Sequence, residues 1–301
     1  MNVLLTGASG FLGKYIKEEL KERKYNIDTL GRNITNTITC DLSKSIPQLK
    51  EYDLVIHAAG KAHIIPSNTE EEEEFYNINL KGSKNLLSAF IIKPKAFVFI
   101  STVAVYGLEY GLNIKENTEL KAKDPYGKSK ILAEQYITQW GMDNNCMITI
   151  LRLPLIFGLN APGNLGKMIV AIKKGFFFNI DKGEAKKSAV LASDIAAFIP
   201  IIAPIGGVYN LTDGQAPSFG ELSKVISKNY NTKKIISIPY FLAKILAITG
   251  DTAQKLLKRN IPFTSRQLIK MKKSLTFSDD NARLKGWLPN KIINSPKQWL
   301  D

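Results

Sequence analysis

Short apolar runs alternate with longer amphipathic stretches through the first half of the chain. Asn2–Thr6, Asn26–Leu30, Asp53–His57, Ala96–Ser101 and Met147–Leu153 read as strands. Most are nearly continuous in apolar residues, as parallel strands buried on both faces should be. Between them, Phe11–Lys24, Glu73–Ile92 and Tyr126–Trp140 repeat apolar residues at three- and four-residue spacing, which predicts helices with one buried face. This alternation predicts an α/β fold, a Rossmann-type doubly wound parallel sheet, over residues 1–155. Past Pro154 the loops lengthen and Gly158–Gly166 is rich in glycine, proline and asparagine. Residues 156–301 are expected to form mainly a smaller C-terminal α/β substrate-binding domain, with a return to the first domain around 186–211. There Ala189–Ile202 and Gly207–Leu211 look like sheet or its flanking helix. Pro239–Leu257 is amphipathic and basic, and Leu275–Trp287 reads as a strand followed by a helix capped at Ser278. The acidic run Glu70–Glu74 suits the first turns of a helix, where negative charge complements the dipole.

At 301 residues and 45% apolar, the chain has enough material for a large core. Cys40 and Cys146 lie far apart, without the spacing of a disulfide framework or a metal site. With no signal-peptide pattern and no membrane-spanning run, a cytoplasmic enzyme without a metal is expected. The net charge of +14 is read as lysine scattered over solvated faces, part of it steering an anionic substrate. No nucleic-acid module accompanies it. The basic segment Pro239–Leu257 is most simply a wall of the substrate domain; weak association with an anionic membrane surface is the alternative.

Gly7-Ala8-Ser9-Gly10-Phe11-Leu12-Gly13 falls between the first strand and the first helix. A dinucleotide pyrophosphate needs close backbone amides and a helix N-terminus aimed at it. Glycine at positions 7 and 10 clears that approach, and Gly13 lets helix and strand pack closely. An acidic residue is expected to bind the ribose 2′-hydroxyl of NAD some 20 residues on. That place holds Leu30-Gly31-Arg32, and Asp28 comes early, within the strand. Arg32 suits a 2′-phosphate, so NADP(H) is favoured over NAD(H); a solvated loop arginine is the alternative. Asp41 and Leu42 border the expected adenine site. Ala58, Ala59 and Gly60 let the cofactor lie against the strand ends, or serve close packing alone.

Asp124-Pro125 reads as a helix start, which puts Tyr126 and Lys130, four residues apart, on one helical face. A tyrosine with its ordinary pKa near 10 is a poor base at neutrality. A nearby ammonium, with the positive nicotinamide of an oxidised cofactor, is expected to lower that value. Tyr126 would then exchange a proton with a substrate hydroxyl as hydride moves, while Lys130 also holds the nicotinamide ribose. Ser101 and Thr102 end the fifth strand on the same crevice, and Thr102 is placed to hydrogen-bond the reacting oxygen.

These residues together resemble the extended short-chain dehydrogenase/reductases, in particular the sugar-nucleotide epimerase/dehydratase/reductase group. The likeness runs from Thr6-Gly7 to Gly286-Trp287. It is carried by Gly7–Gly13, Val55–Gly60, Asn79 with Gly82, Ser101–Gly107, Tyr126–Lys130 and Arg152-Leu153-Pro154. The resemblance implies that Thr102, Tyr126 and Lys130 are catalytic. It further implies that Asn79, Ser101 and Leu153 border the cofactor, and that the C-terminal part binds a nucleotide diphosphate. The group's 4,6-dehydratases carry Asp-Glu after the catalytic threonine; Val103 and Ala104 stand there instead, which argues against dehydration. Lys187 occupies a place where relatives commonly use a phosphate-binding arginine, and Arg283 looks like a second phosphate ligand or a plain surface residue. Asn164 is a candidate contact to the base. Lys61 and His63 are candidates for the cofactor or sugar, with a structural role the alternative for His63.

The reading that results is hydride transfer at C4 of a UDP-linked sugar, a UDP-(N-acetyl)hexosamine 4-keto reductase or C4 epimerase of the kind found with bacterial surface-polysaccharide synthesis. The resemblance also implies a homodimer through Glu73–Ile92 and Tyr126–Trp140. A catalytically silent NADP-binding regulatory or scaffold protein on the same fold is the alternative.

Overall fold

The computed structural model describes residues 1–62, 66–232, 235–257, 261 and 263–301. The strands are β1 (Asn2–Thr6), β2 (Asn26–Gly31), β3 (Ile38–Thr39), β4 (Leu54–His57), β5 (Ala96–Thr102), β6 (Gly111–Ile114), β7 (Met147–Leu153), β8 (Leu155–Phe157), β9 (Phe178–Ile180), β10 (Ala189–Leu191), β11 (Gly207–Asn210), β12 (Ile236–Ile238) and β13 (Leu275–Phe277). The helices are α1 (Phe11–Glu22), α2 (Thr69–Phe75), α3 (Gly82–Ser88), α4 (Pro125–Asp143), α5 (Gly163–Lys173), α6 (Ala192–Ile202), α7 (Phe219–Asn229), α8 (Tyr240–Leu257), α9 (Ser265–Lys272) and α10 (Asp280–Arg283).

Seven strands form one parallel sheet in the order β11-β7-β5-β4-β1-β2-β3. This is the Rossmann-type doubly wound fold. From β1 the chain winds outward through β2 and β3, then returns to lay β4 on the other side of β1. The winding of the chain therefore reverses between β1 and β4, and a crevice opens beyond their C-terminal ends, where such folds bind ligands. Both faces of the sheet are covered. Ile16, Leu20, Ile195 and Ile199 pack on one side, and Leu86, Phe90, Ala133 and Ile137 on the other. That double burial is why the strand sequences carry little polar alternation.

The stretch expected as one helix, Glu73–Ile92, is three pieces. Asn68 caps α2 by accepting from the Glu71 amide at 2.8 Å. A π-helical segment, Tyr76–Lys81, then leads into α3, which stops at Ser88. The wider turn rotates Asn79 into the interior, where it is 1% exposed, a distortion often found at functional sites. Pro94 lies just beyond and disfavours any continuation.

The C-terminal part is held by short parallel pairs, β8 with β10, β9 with β12 and β6 with β13. The Ser218–Glu221 capping box starts α7. After β13 the N-cap of α10 is Asp279, which makes no side-chain cap, and not Ser278 as expected; Ser278 lies one residue earlier, its hydroxyl accepting from the Asp280 amide at 3.2 Å. No helix among the described residues is long and apolar enough to cross a membrane.

Candidate active site

Three chain segments meet at the β1–β4 crevice. The first is the glycine turn after β1. Gly7 has φ +73°, and a Cβ there would lie 2.6 Å from the Ala59 amide; a Cβ on Gly13 would lie 2.0 Å from the Gly7 carbonyl. Only glycine lets the turn fold this tightly against β4 and α1. Gly10 is the N-cap of α1 and supplies no capping side chain, nor does an acidic residue occupy the first turn. The unpaired first-turn amides and the positive end of the helix dipole thus point out of an uncrowded cradle, as binding a pyrophosphate requires. Ser9 and Gly10 are exposed, Phe11 is half-buried, and Leu12 is buried in the core, so Leu12 reaches the cradle through its backbone alone.

The second segment follows β4. Ala58 and Ala59 are half-buried and Gly60 is exposed. His57 is buried within a hydrogen-bond chain that fixes this corner. The Ala59 amide donates to the Thr6 hydroxyl at 3.1 Å, and Thr6 donates to His57 Nδ1 at 2.7 Å. The Ser83 hydroxyl donates to the Asn79 carbonyl at 2.6 Å, which leaves it to accept from His57 Nε2 at 3.0 Å. The ring is neutral, its pKa held down to about 3 by burial and by the charge of Lys130. The Asn79 side chain accepts from the Lys61 amide at 2.8 Å and donates to the Ser129 hydroxyl at 3.0 Å, tying the β4 loop to α4. Lys61 pairs with Glu74 and lies 4.9 Å from the Phe75 ring centroid. His63 lies outside the described residues.

The third segment carries the predicted acid/base pair. Asp124 caps α4 by accepting from the Gly127 amide at 3.0 Å, with Pro125 in the first turn. A Cβ on Gly127 would lie 2.4 Å from the Ala122 methyl and 3.1 Å from the Ala104 carbonyl, so glycine here lets the start of α4 press against the turn after β5. That contact brings Tyr126 close enough to Thr102 for the threonine hydroxyl to act on the phenol. Lys130 is buried, donates to the Ile100 carbonyl at 2.7 Å and sits 4.2 Å from the Phe99 ring centroid. A Cβ on Gly60 would lie 3.6 Å from its amine. Burial lowers Lys130 to about 8, against the attraction of Glu134. The protein alone does not lower the Tyr126 phenol; the lowering expected from the sequence calls also on the positive nicotinamide. Burial raises the phenol, and the nearby Thr102 hydroxyl opposes the rise. A phenolate in a low-dielectric site needs a cation beside it, and the Lys130 amine is turned toward the β5 main chain.

Beneath this pair runs a polar network whose full extent the sequence did not reveal. Ser101 hydrogen-bonds Glu134, and Glu134 pairs with Arg152 at 2.7 Å, all three buried. Arg152 donates to the Tyr106 phenol at 3.1 Å, and Tyr106 to Asn210 on β11 at 2.7 Å. A charge inside the apolar run Met147–Leu153 and a glutamate four residues after Lys130 were the available signals. Leu153, beside Arg152, is buried.

The remaining candidates are spread around this centre. Arg32 is exposed just past β2. Asp28 is engaged elsewhere, by Lys50 at 2.8 Å and the Tyr52 hydroxyl at 2.8 Å. Asp41 closes its own turn by accepting from Ser43, and Leu42 is buried. Val103 is half-buried beside Thr102, and Asn164 is exposed at the start of α5. Lys187 is half-buried and has no ion pair among the described residues; burial, then the nearby charge of Lys270, lowers it to about 8. Arg283 already grips Asp279 with two hydrogen bonds of 2.9 and 3.0 Å, and its guanidinium rests over Gly214.

The sequence profile of the NAD dependent epimerase/dehydratase family matches residues 3–210, more than half the chain. The chain belongs to this family. Family membership makes it an enzyme with an NAD(P)-binding fold, and the glycine cradle fits that cofactor. A sterol-4-alpha-carboxylate 3-dehydrogenase, decarboxylating, of Dictyostelium discoideum is 30% identical, covering 97% of both chains. The N-acetyl-alpha-D-glucosaminyl-diphospho-ditrans,octacis-undecaprenol 4-epimerase of Escherichia coli O157:H7 is 28% identical over 95% of this chain and 90% of its own. The crystal structure of a UDP-glucose 4-epimerase of Thermotoga maritima with UDP-glucose superposes with a TM-score of 0.75 over 99% of this chain and 97% of that one; its 20% identity bears on the fold alone.

Proposed function

We propose that this family member transfers hydride at C4 of a UDP-linked hexose, most specifically an N-acetylhexosamine, as a 4-keto reductase or C4 epimerase. The observation that carries the reading is the convergence of Tyr126 and Thr102 at the β5 edge of the dinucleotide crevice, with the Lys130 amine buried below them. Bound NAD(P) supplies the acceptor or donor of the hydride. Tyr126 gives a proton to the reduced oxygen, or takes one from the C4 hydroxyl in the reverse direction. Thr102 holds that oxygen against the phenol. Lys130, as an ammonium, stabilises the phenolate left behind once its amine leaves the Ile100 carbonyl. Val103 and Ala104 hold no proton donor or acceptor in their side chains, so the reading excludes 4,6-dehydration.

Gly7, Ser9, Gly10 and the α1 amides would hold the pyrophosphate. Arg32, the exposed charge at the β2 end, favours NADP over NAD and with it the reductase. The relative named as a 4-epimerase of N-acetylglucosaminyl-diphospho-undecaprenol, a lipid-linked rather than a UDP-linked sugar, supports C4 chemistry on an N-acetylated sugar and keeps the epimerase alongside. Lys187, half-buried and without an ion pair among the described residues, is the first choice for the substrate diphosphate. Residues 156–301 are taken as the substrate domain on the same grounds.

The deciding experiment incubates purified protein with UDP-N-acetylglucosamine and no added cofactor. Appearance of the galacto epimer assigns the epimerase. NADPH oxidation only with a UDP-4-keto-6-deoxy-N-acetylhexosamine assigns the reductase. Turnover of neither sugar removes the proposal.

A further inference from the structure

Helix α8 is turned inside out. The residues it buries are Ala243, Ala247 and Gly250, against Ile180, Leu268 and the Phe263 carbonyl. Its large apolar residues face away: Phe241 is 62% exposed, Ile245 56%, Ile248 52% and Leu256 78%. With Thr252 between the last two, they follow the four-three-four-four spacing of one helical stripe opposite the packed side. An ordinary surface helix places such residues inward. The sequence from Tyr240 to Lys273 carries eight lysines and arginines against one acidic residue, Asp251, so half of the chain's net charge of +14 falls in this short stretch. Lys244 and Lys255 are exposed beside the stripe, and α9 adds exposed Lys270.

We propose that α8 and α9 seat the protein on an anionic lipid bilayer. The apolar stripe enters the headgroup boundary with the helix lying in its plane, and the lysines reach the lipid phosphates. Charge complementarity selects this occupant. A second copy of the chain would bring two strongly basic faces together, whereas an anionic surface neutralises one. The proposal goes beyond the C4 chemistry and does not depend on it.

The test is co-sedimentation of the full chain with phosphatidylcholine vesicles with and without phosphatidylglycerol, at low and moderate salt. Wild type is expected to pellet with the anionic vesicles alone, and less as salt rises. The paired change Ile245→Asp and Ile248→Asp should lower the bound-to-free ratio roughly tenfold or more. Its circular dichroism, thermal midpoint and turnover of soluble substrate should match wild type. Lys244→Glu with Lys255→Glu should weaken binding and flatten its salt dependence. Three results would each overturn the proposal: no pelleting of wild type at low salt, equal pelleting of wild type and the Ile245/Ile248 variant, or a wild-type dimer in sedimentation velocity that this variant converts to monomer.

Discussion

His57 gives the sharpest physical prediction, because it is a buried neutral imidazole at the corner where β1, β4 and the cofactor crevice meet. Its two ring nitrogens are taken by Thr6 and Ser83, and it is 1% exposed. Its pKa is about 3 in the folded protein; an unfolded histidine titrates near 6.5. Below pH 6.5 the unfolded chain takes up a proton that the folded chain refuses, so stability is lost as pH falls from 6.5 toward 3. At pH 5 the gap is 1.5 units of pH, and at about 1.36 kcal/mol per unit the loss relative to pH 7 is about 2 kcal/mol. Other groups titrate in the same range, so the perturbation is His57→Gln, which cannot take the proton. Its lost hydrogen bonds change stability at both pH values and drop out of the comparison. Urea unfolding of both proteins at pH 7 and pH 5 supplies the numbers. Wild type should lose about 2 kcal/mol more than His57→Gln across that interval. Equal losses would mean that the imidazole takes a proton inside the folded protein, and the account of this corner as a fixed neutral chain would be wrong.

Tyr126→Phe should leave fold and dinucleotide affinity intact while lowering turnover by roughly 10²–10⁴-fold, the usual worth of a positioned acid or base; turnover within twofold of wild type would remove Tyr126 from that role. Glu134→Gln strands the buried guanidinium of Arg152 and should cost about 3–5 kcal/mol, read from urea midpoints. An unchanged midpoint would show that the pair is balanced by its desolvation cost and by its neighbours. Arg32→Ala should weaken NADPH far more than NADH in fluorescence titrations, and equal wild-type affinities for the two would end the case for NADP.

Much of the candidate site is legible in the sequence, for reasons that are local. The Gly7–Gly13 turn declares itself because only glycine tolerates such approaches, and Asp124-Pro125 marks a helix start from which Tyr126 and Lys130 follow on one face. The strands of the main sheet were legible because burial on both faces leaves a nearly continuous apolar run. The return near Gly207–Leu211 was visible as an element, though not as the strand that extends the sheet beyond β7.

Tertiary structure decided what depends on neighbours distant in the chain. Arg152 and Glu134 lie on different elements, and nothing local shows that they cancel each other's charge or that Ser101, Tyr106 and Asn210 complete the network. The direction of the Tyr126 shift depends on how much protein surrounds the phenol and where the Lys130 amine turns. Periodicity also defines the apolar stripe of α8 without saying which way it faces. The small residues Ala243, Ala247 and Gly250 win the inward position because the approach of Phe263 and Ile180 leaves no room for larger ones. Spacing along a chain fixes which residues share a face; the shape of the space available decides which face is buried.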